Sequence, residues 1–387
     1  MFPGQLPAKH NAADTTIFSV MSLLAQKNNA INLSQGFPDF PIEGQLSTLL
    51  HEASVSGLNQ YAPMPGLPAL REAIAADFLT RYGVAIDPET EITITPGATY
   101  AIYTAFTSLL QAGDEVIVLE PAYDSYIPNI EMSGAIPVPV KLLPHSFRPD
   151  WNAIAAAITE RTKAIIVNTP HNPTGSVWSA EDWNTLWELL KDRPVYVLSD
   201  EVYEQLLFDG RQHYSVLQHP GLRERSFALY SFGKVFHNTG WKIGFAVAPP
   251  AMSKAFRRLH QFLSFSVNTP AQWALAQFIG SGNLAKPAAL LQQKRDYFNS
   301  LMQHTPFRML APASGSYFQL YSYEGLSDMS DKDYACFLTE QFGVASIPVS
   351  AFYSDGTDHK ILRVCFAKKE ETLKEAALRL KAVASGK

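Results

Sequence analysis

The segment Phe227-Ala228-Leu229-Tyr230-Ser231-Phe232-Gly233-Lys234 decides the fold prediction. Its first four residues are apolar, as in a strand that is buried on both faces, and a short loop ending in a lysine follows directly. Working outward, short apolar runs alternate with helical patterns, which predicts an α/β protein with a mainly parallel sheet between helices. We interpret six runs as strands: Glu91 to Thr95, Glu115 to Leu119, Ala164 to Val167, Val195 to Ser199, Phe227 to Tyr230 and Ile243 to Val247.

Two helices between these strands are indicated by apolar residues at helical spacing. One pattern begins at Ala98 and ends at Leu109, and Gly113 closes the segment. The other follows Ser179 and repeats at Trp183, Leu186, Trp187 and Leu190. We expect both helices to pack an apolar face on the sheet.

Beyond about Ser281 the pattern changes and predicts a smaller α+β domain. Strands are expected at Ser316 to Leu320, Ala345 to Pro348 and Ile361 to Phe366, with a terminal helix from about Glu370. An N-terminal helix is expected near Thr16 to Gln26. We therefore divide the chain into residues 1–45, an N-terminal arm with part of the small domain, residues 46–280, a large domain, and residues 281–387, a small C-terminal domain.

The composition limits the classes of function. The 387 residues are 47% hydrophobic and 17% charged, with a formal net charge of -5, so nucleic acid and anionic membranes are not expected partners. Cys336 and Cys365 lack the spacing of a disulfide framework or a zinc site, no export or membrane segment is recognisable, and a cytoplasmic location is expected. No GxGxxG, GxxxxGK[ST] or HExxH run is present, and no metal site is predicted.

Polar groups follow four of the predicted strands, and ligands of open α/β sheets bind at the carboxyl ends of strands. These loops are Thr95-Pro96-Gly97-Ala98-Thr99, Asn168 to Gly175 with Asn172, Ser199-Asp200-Glu201-Val202-Tyr203, and Ser231-Phe232-Gly233-Lys234 with Lys242 beyond it. Each has an ordinary interpretation when taken alone. Most lysines are solvated, an aspartate often caps a helix, and Asn-Pro turns and strand-to-helix turns are common.

Together the four loops supply what pyridoxal phosphate requires. Lys234 would form the Schiff base and later act as a base, because burial lowers the proton affinity of an amine. Asp200 would keep the pyridine nitrogen protonated, and Tyr203 and Asn172 would reach the ring oxygen. Gly97, Ala98 and Thr99 would present a helix N-terminus to the phosphate, beneath Ser231 and Lys242.

Four motifs in this order resemble the class I/II aminotransferases of fold type I. They are Asn172-Pro173-Thr174-Gly175, Ser199-Asp200-Glu201-Val202-Tyr203, Ser231-Phe232-Gly233-Lys234-Val235-Phe236 and Gly240-Trp241-Lys242-Ile243-Gly244. The resemblance implies a seven-stranded type of sheet, amino-acid and 2-oxo-acid substrates, and a pyridoxal-phosphate-dependent transaminase. Asn32-Leu33-Ser34-Gln35-Gly36-Phe37-Pro38-Asp39-Phe40 looks most like the branch of kynurenine, glutamine and methionine aminotransferases.

The same resemblance implies roles that spacing does not show. Tyr123 matches the aromatic residue that stacks on the cofactor ring, and Tyr61 matches a tyrosine that reaches the phosphate of the neighbouring subunit, which implies a homodimer. Arg363 matches the arginine that binds the substrate α-carboxylate, and Gly36 matches a backbone contact to the same group. Lys242 stands where the family usually has arginine.

The substrate side chain is predicted to be apolar or aromatic. No second arginine is assignable to a side-chain carboxylate, and Phe18, Tyr61, Tyr123 and Phe352 lie in segments that line the pocket in the resembling branch. Methionine is the expected donor, followed by phenylalanine, tyrosine, histidine, glutamine and kynurenine. Two alternatives stay open: a β-lyase acting on cysteine S-conjugates or cystathionine, and a non-catalytic regulator that senses pyridoxal phosphate.

Overall fold

A computed structural model describes residues 15–281 and 286–385. The first fourteen residues of the predicted N-terminal arm lie outside this part of the chain. The strands of the described residues are β1 (Ile31–Asn32), β2 (Ile92–Thr95), β3 (Glu115–Glu120), β4 (Ile136–Lys141), β5 (Thr162–Asn168), β6 (Tyr196–Asp200), β7 (Ser226–Ser231), β8 (Gly244–Val247), β9 (Arg308–Met309), β10 (Phe318–Ser322), β11 (Val344–Ala345), β12 (Ile347–Pro348) and β13 (Ile361–Cys365).

The helices include every one predicted from apolar spacing. They are α1 (Ile17–Lys27), α2 (Gly44–Val55), α3 (Pro68–Tyr82), α4 (Ala98–Leu109), α5 (Tyr126–Met132), α6 (Trp151–Ala157), α7 (Ala180–Leu190), α8 (Pro220–Arg223), α9 (Phe232–Val235), α10 (Pro250–Leu263), α11 (Thr269–Gly280), α12 (Lys286–Met302), α13 (Asp331–Phe342) and α14 (Glu370–Lys381). Ser179 begins α7 with a reciprocal capping box to Asp182, which satisfies backbone donors at the first turn. None of the described helices is long and apolar enough to cross a membrane.

A seven-stranded sheet has the strand order β2-β8-β7-β6-β5-β3-β4. Its neighbouring strands run parallel except at β8, which is antiparallel to both β2 and β7. The mainly parallel sheet predicted from the sequence is therefore confirmed. The carboxyl ends of β2, β5, β6 and β7 consequently meet at one edge, and their four loops come together there.

Both faces of this sheet are buried, because alternate strand residues belong to two separate apolar clusters. Ile165, Val167 and Val197 pack into one cluster together with the tryptophan face of α7. Ile166 and Leu198 point to the other face and pack with α4. The helices therefore cover the sheet on both sides, as the alternation of strands and helices predicts.

The seventh strand, β4, was missed by the sequence interpretation. Pro137 and Pro139 interrupt its apolar run, and proline cannot donate a ladder hydrogen bond. In the structure β4 lies at the edge of the sheet, and β3 is its one partner among the described strands. One side of β4 thus needs no hydrogen-bond partner, which is why prolines are tolerated.

A four-stranded antiparallel sheet has the order β12-β13-β10-β9. The predicted strand at Ser316 to Leu320 begins and ends two residues later, and the one at Ala345 to Pro348 is divided into β11 and β12. The N-terminal segment joins this part of the molecule through β1, which pairs in parallel with β11. The division at residues 45 and 280 stays a prediction. The strands of the seven-stranded sheet lie between residues 92 and 247, and those of the four-stranded sheet lie between residues 308 and 365.

Candidate active site

A cavity of about 590 Å³ lies at the carboxyl edge of the seven-stranded sheet. Nearly all of the candidate residues from the sequence line it, so the structure brings together groups that are up to 345 positions apart in the chain. The candidate residues in its wall are Phe18, Gly36, Gly97, Ala98, Thr99, Tyr123, Asn172, Asp200, Tyr203, Ser231, Lys234, Lys242 and Arg363.

Lys234 lies on the single turn α9, directly after β7. Its Nζ is 5.9 Å from the ring centroid of Tyr203 and 5.7 Å from that of Tyr317. Desolvation, together with the nearby charges of Arg363 and Lys242, lowers the pKa of this amine to about 8, while Cys365 and Asp200 oppose the shift. A substantial fraction of Lys234 is therefore neutral near physiological pH, as an amine that attacks a carbonyl must be.

Asp200 is the last residue of β6 and is 4% exposed. Burial raises the pKa of its carboxyl to about 6, and the hydroxyl of Tyr126 and the backbone of Val202 oppose that shift. The Tyr126 hydroxyl donates to Oδ2 at 2.6 Å, and the Val202 amide donates to Oδ1 at 3.3 Å. This carboxylate is held in one orientation at the cavity wall, where it suits a protonated ring nitrogen.

Asn168 connects the loops that follow β5 and β6. Its amide nitrogen donates to the Asp200 carbonyl at 2.8 Å, and its side-chain oxygen accepts from the backbone of Asn172 at 2.8 Å. Asn172 is thus fixed with its own side chain in the cavity. Tyr203 lines the same cavity and packs edge-on against Tyr317, with ring centroids 5.2 Å apart.

A phosphate-sized cradle lies at the start of α4. Gly97 precedes the helix at φ 81°, and no described side chain caps the free N–H groups of this first turn. A Cβ at Gly97 would lie 3.3 Å from the ammonium of Lys242, so the backbone and this cation face each other closely. Ser231 and Thr239 add hydroxyls to the same cavity. A helix N-terminus beside a lysine fits a phosphate dianion.

Arg363 occupies the other end of the cavity and is 1% exposed. Its Nη1 donates to Asn172 Oδ1 at 2.7 Å, and its Nη2 donates to the Ser34 carbonyl at 2.8 Å. Nε has no hydrogen-bond partner among the described residues. Burial lowers the pKa of this guanidinium to about 10, so it stays charged at neutral pH. The Phe318 ring centroid lies 3.8 Å from its central carbon.

Gly36 lies beside Arg363 at the wall of the substrate end. Its carbonyl accepts a hydrogen bond from Tyr317 at 2.6 Å. A Cβ at this position would lie 2.6 Å from the Phe318 ring, so a side chain would displace that ring. Phe18 packs edge-on against Phe352 with centroids 6.0 Å apart, and the Phe18 centroid is 5.1 Å from the guanidinium of Arg363.

Tyr61 does not line this cavity, and neither does Phe352, which instead packs behind Phe18. It is 81% exposed and packs edge-on against Phe265, with ring centroids 5.4 Å apart. Its predicted contact is with a neighbouring subunit, and within one chain the tyrosine is free to make it.

The sequence interpretation missed four residues that complete the site. Tyr126 and Tyr317 contact Asp200 and Gly36 through hydroxyls from distant segments, and no motif announced them. Thr239 lies between two motifs that were recognised. Asn168 was quoted within its loop, and the signal for its role was its position as the last residue of a buried strand.

Comparison with known proteins supports one family. Residues 28–380 match the family model for aminotransferase class I and II. The methionine aminotransferase of Escherichia coli strain K12 is 48% identical over 370 residues, which cover 95% of each protein. A solved Escherichia coli structure, described as having a methionine aminotransferase function, has a TM-score of 0.94 at 46% identity and covers 98% of this chain and 100% of its own.

The N-succinyldiaminopimelate aminotransferase structure from Mycobacterium tuberculosis also has a TM-score of 0.94, at 37% identity, covering 98% of this chain and all of its own. The chain is therefore a pyridoxal-phosphate-dependent transaminase and belongs to the class I and II aminotransferases. The predicted fold, cofactor and enzyme class are confirmed. The uncapped helix start beside Lys242, the buried Asp200 and the desolvated Lys234 fit that cofactor.

Proposed function

We propose that this transaminase takes its amino group from methionine, and from other apolar or aromatic amino acids less readily, and transfers it to a 2-oxo acid. One observation carries the proposal. The guanidinium of Arg363 is buried and charged, makes no ion pair with a described residue, and lies across the same cavity from the neutralisable amine of Lys234. A buried cation of this kind needs an anion, and an α-carboxylate supplies one.

The cofactor supplies the chemistry of an electron sink that makes the Cα–H bond of a bound amino acid acidic. Gly97, Ala98, Thr99, Ser231 and Lys242 would hold its phosphate. Asp200 would face the ring nitrogen, where its negative charge keeps that nitrogen protonated. Asn172 and Tyr203 would donate to the ring oxygen, and Tyr123 would cover one face of the ring.

Lys234 would move the proton at Cα once the substrate amine has replaced it on the cofactor. Its lowered pKa suits this task, because a base works best when its pKa is near the working pH. Arg363 and the Gly36 backbone would hold the α-carboxylate, which fixes the Cα–H bond relative to Lys234. The chain's own groups thus bind, orient and transfer a proton.

The preference for methionine is supported by apolar and aromatic residues in the cavity wall. Phe18, Tyr123, Pro128 and Met132 line the same cavity as Arg363, and a thioether packs well against aromatic and apolar groups. The 48% identical relative from Escherichia coli carries the name methionine aminotransferase. Phenylalanine, tyrosine, histidine, glutamine and kynurenine remain expected weaker donors.

A homodimer is supported by an exposed apolar surface around Tyr61. Phe262 and Leu263 at the end of α10 are 84% and 50% exposed, and Phe265 is 48% exposed beside the Tyr61 ring. Exposed apolar groups of this size are typical of a surface that another chain covers. We propose that a second copy covers it and that its Tyr61 reaches the phosphate of this chain. A cytoplasmic location stays a prediction.

The test is a single-turnover and steady-state comparison of amino donors with the purified holoenzyme. Methionine with a 2-oxo acid is expected to yield the oxo acid of methionine and the amino acid of the acceptor in equal amounts. Release of ammonia and pyruvate from a cysteine S-conjugate, without amino transfer, would support the β-lyase alternative instead. Failure of all apolar donors while an acidic donor reacts would overturn the proposed preference.

A further inference from the structure

The acidic group at the substrate end of the cavity has no part in the functions described so far. Asp124 follows the stacking residue Tyr123 and lines the cavity together with Arg363. It forms no ion pair with a described residue, although the charge of Arg363 lies near enough to attract its carboxylate. Among the described lining residues there is one other carboxylate, Asp200, which is already assigned to the ring nitrogen. The negative charge of Asp124, which its own backbone amide and the nearby Arg363 stabilise, therefore lies at the wall of the cavity that receives the substrate.

The cations of the same wall are all occupied in the proposed function. Lys234 bonds the cofactor, Lys242 faces the phosphate, and Arg363 binds the α-carboxylate. A second carboxylate on the substrate would find no further lysine or arginine among the described lining residues. It would instead enter a cavity in which Asp124 repels it.

We propose that Asp124 is a specificity-determining residue that excludes amino acids with an acidic side chain and leaves the pocket to neutral ones. The inference rests on the proposed function and narrows its substrate class. Burial raises the pKa of the Asp124 carboxyl to about 6, and the charge of Arg363 opposes that rise. The carboxylate is consequently ionised at pH 7.5, where it repels, and largely protonated at pH 5, where it does not.

Glutamine and glutamate test this charge effect, because they have nearly the same shape and differ by one negative charge. In the wild-type holoenzyme kcat/KM for glutamine should exceed that for glutamate by at least about tenfold at pH 7.5. Asp124→Asn keeps the size and removes the charge, so this ratio should fall by about tenfold. Methionine should change by no more than about threefold, and Asp192→Asn, on the exposed surface, should change none of the three.

The pH profile gives a second readout. Between pH 7.5 and pH 5 the glutamine-to-glutamate ratio should fall in the wild type and stay flatter in Asp124→Asn. The effect of pH on the other groups of the cavity acts on both substrates and cancels in the ratio of their kcat/KM values. The other titratable or charged groups that face the cavity are Tyr123, Asp200, Tyr203, Lys234, Lys242 and Arg363. A fall of this ratio in the wild type therefore measures the protonation of the group that repels the side-chain carboxylate of glutamate.

Binding of pentanoate and glutarate, measured by calorimetry, separates failure of this inference from failure of the proposed function. These acids cannot be transaminated, and they differ by the terminal carboxylate. The wild type should bind pentanoate more tightly than glutarate, and the difference in affinity should be smaller in Asp124→Asn. An unchanged ratio in both assays would overturn the role of Asp124. Lack of turnover with methionine, with the binding preference intact, would overturn the proposed donor alone.

Discussion

The two ends of the cavity are built in different ways. The cofactor end consists of loops that follow β2, β5, β6 and β7, and the last three of these strands are neighbours in the sheet and successive along the chain. The substrate end combines Gly36, Asn172 and Arg363 from three distant segments. Each end buries a cation, yet Lys234 has a pKa near 8 and Arg363 keeps its charge with a pKa near 10. Desolvation thus makes one group reactive and the other an anion receptor.

The largest effect is expected from a substitution at the cofactor end of the cavity. Lys234→Ala removes the amine that bonds the cofactor and moves the proton, so kcat for methionine should fall by about 10⁴-fold. Stopped-flow absorbance of the first half-reaction measures this loss. Lys254→Ala, on the exposed side of α10, is the matched control and should retain wild-type rates. A Lys234→Ala variant with more than a tenth of wild-type activity would contradict the assignment.

The next largest effect is expected from a substitution that impairs the substrate end of the cavity and leaves the cofactor end intact. Arg363→Lys loses the planar fork and leaves Asn172 Oδ1 and the Ser34 carbonyl without a donor, so kcat/KM should fall by about 10²- to 10³-fold. The absorbance of the bound cofactor should stay unchanged. Arg308→Lys, at an exposed ion pair, should behave as wild type. Equal loss of cofactor binding would mean that the two ends are not separable.

The sequence predicted the cofactor end better than the substrate end for a physical reason. Strand periodicity and the rule that ligands bind at carboxyl ends of strands place Gly97, Asn172, Asp200 and Lys234 together without an alignment. Arg363 and Gly36 were identified only through the family resemblance, because no local pattern relates strand β13 to the loop that follows β1. Tyr126 was missed because its contact with Asp200 depends on the packing of a short helix.

A smaller effect is expected when the hydrogen bond that orients Asp200 at the cofactor end is removed. Tyr126→Phe removes the 2.6 Å hydrogen bond to Asp200 and leaves the ring in place, so the pKa of Asp200 should rise and its negative charge at the ring nitrogen should weaken. We expect about 10- to 100-fold faster cofactor loss, which dialysis followed by absorbance measures. In the pH profile of activity, the acid limb of Tyr126→Phe should shift to higher pH because the pKa of Asp200 is raised.

Tyr321→Phe is the control for that variant, because its hydroxyl makes an equally short buried bond to Asn299 outside the cavity. It should destabilise the fold without changing cofactor retention. If both tyrosine variants lose the cofactor alike, the effect is one of general stability and not of Asp200.

The smallest effect follows the lowered pKa of Lys234. Cofactor-free protein should bind pyridoxal phosphate faster as pH rises from 7 to 9, by about tenfold, because the neutral amine increases from about a tenth to about nine tenths. The rate should level off above pH 9. An exposed lysine would still be gaining reactivity at pH 10, so a rate that keeps rising there would contradict the desolvated amine.

The most direct test of the central claim is reduction of the holoenzyme with borohydride, followed by peptide mapping. We predict one phosphopyridoxyl label per chain, on the ε-nitrogen of Lys234. A label on any other lysine, or no label on a protein that carries the cofactor, would contradict the account.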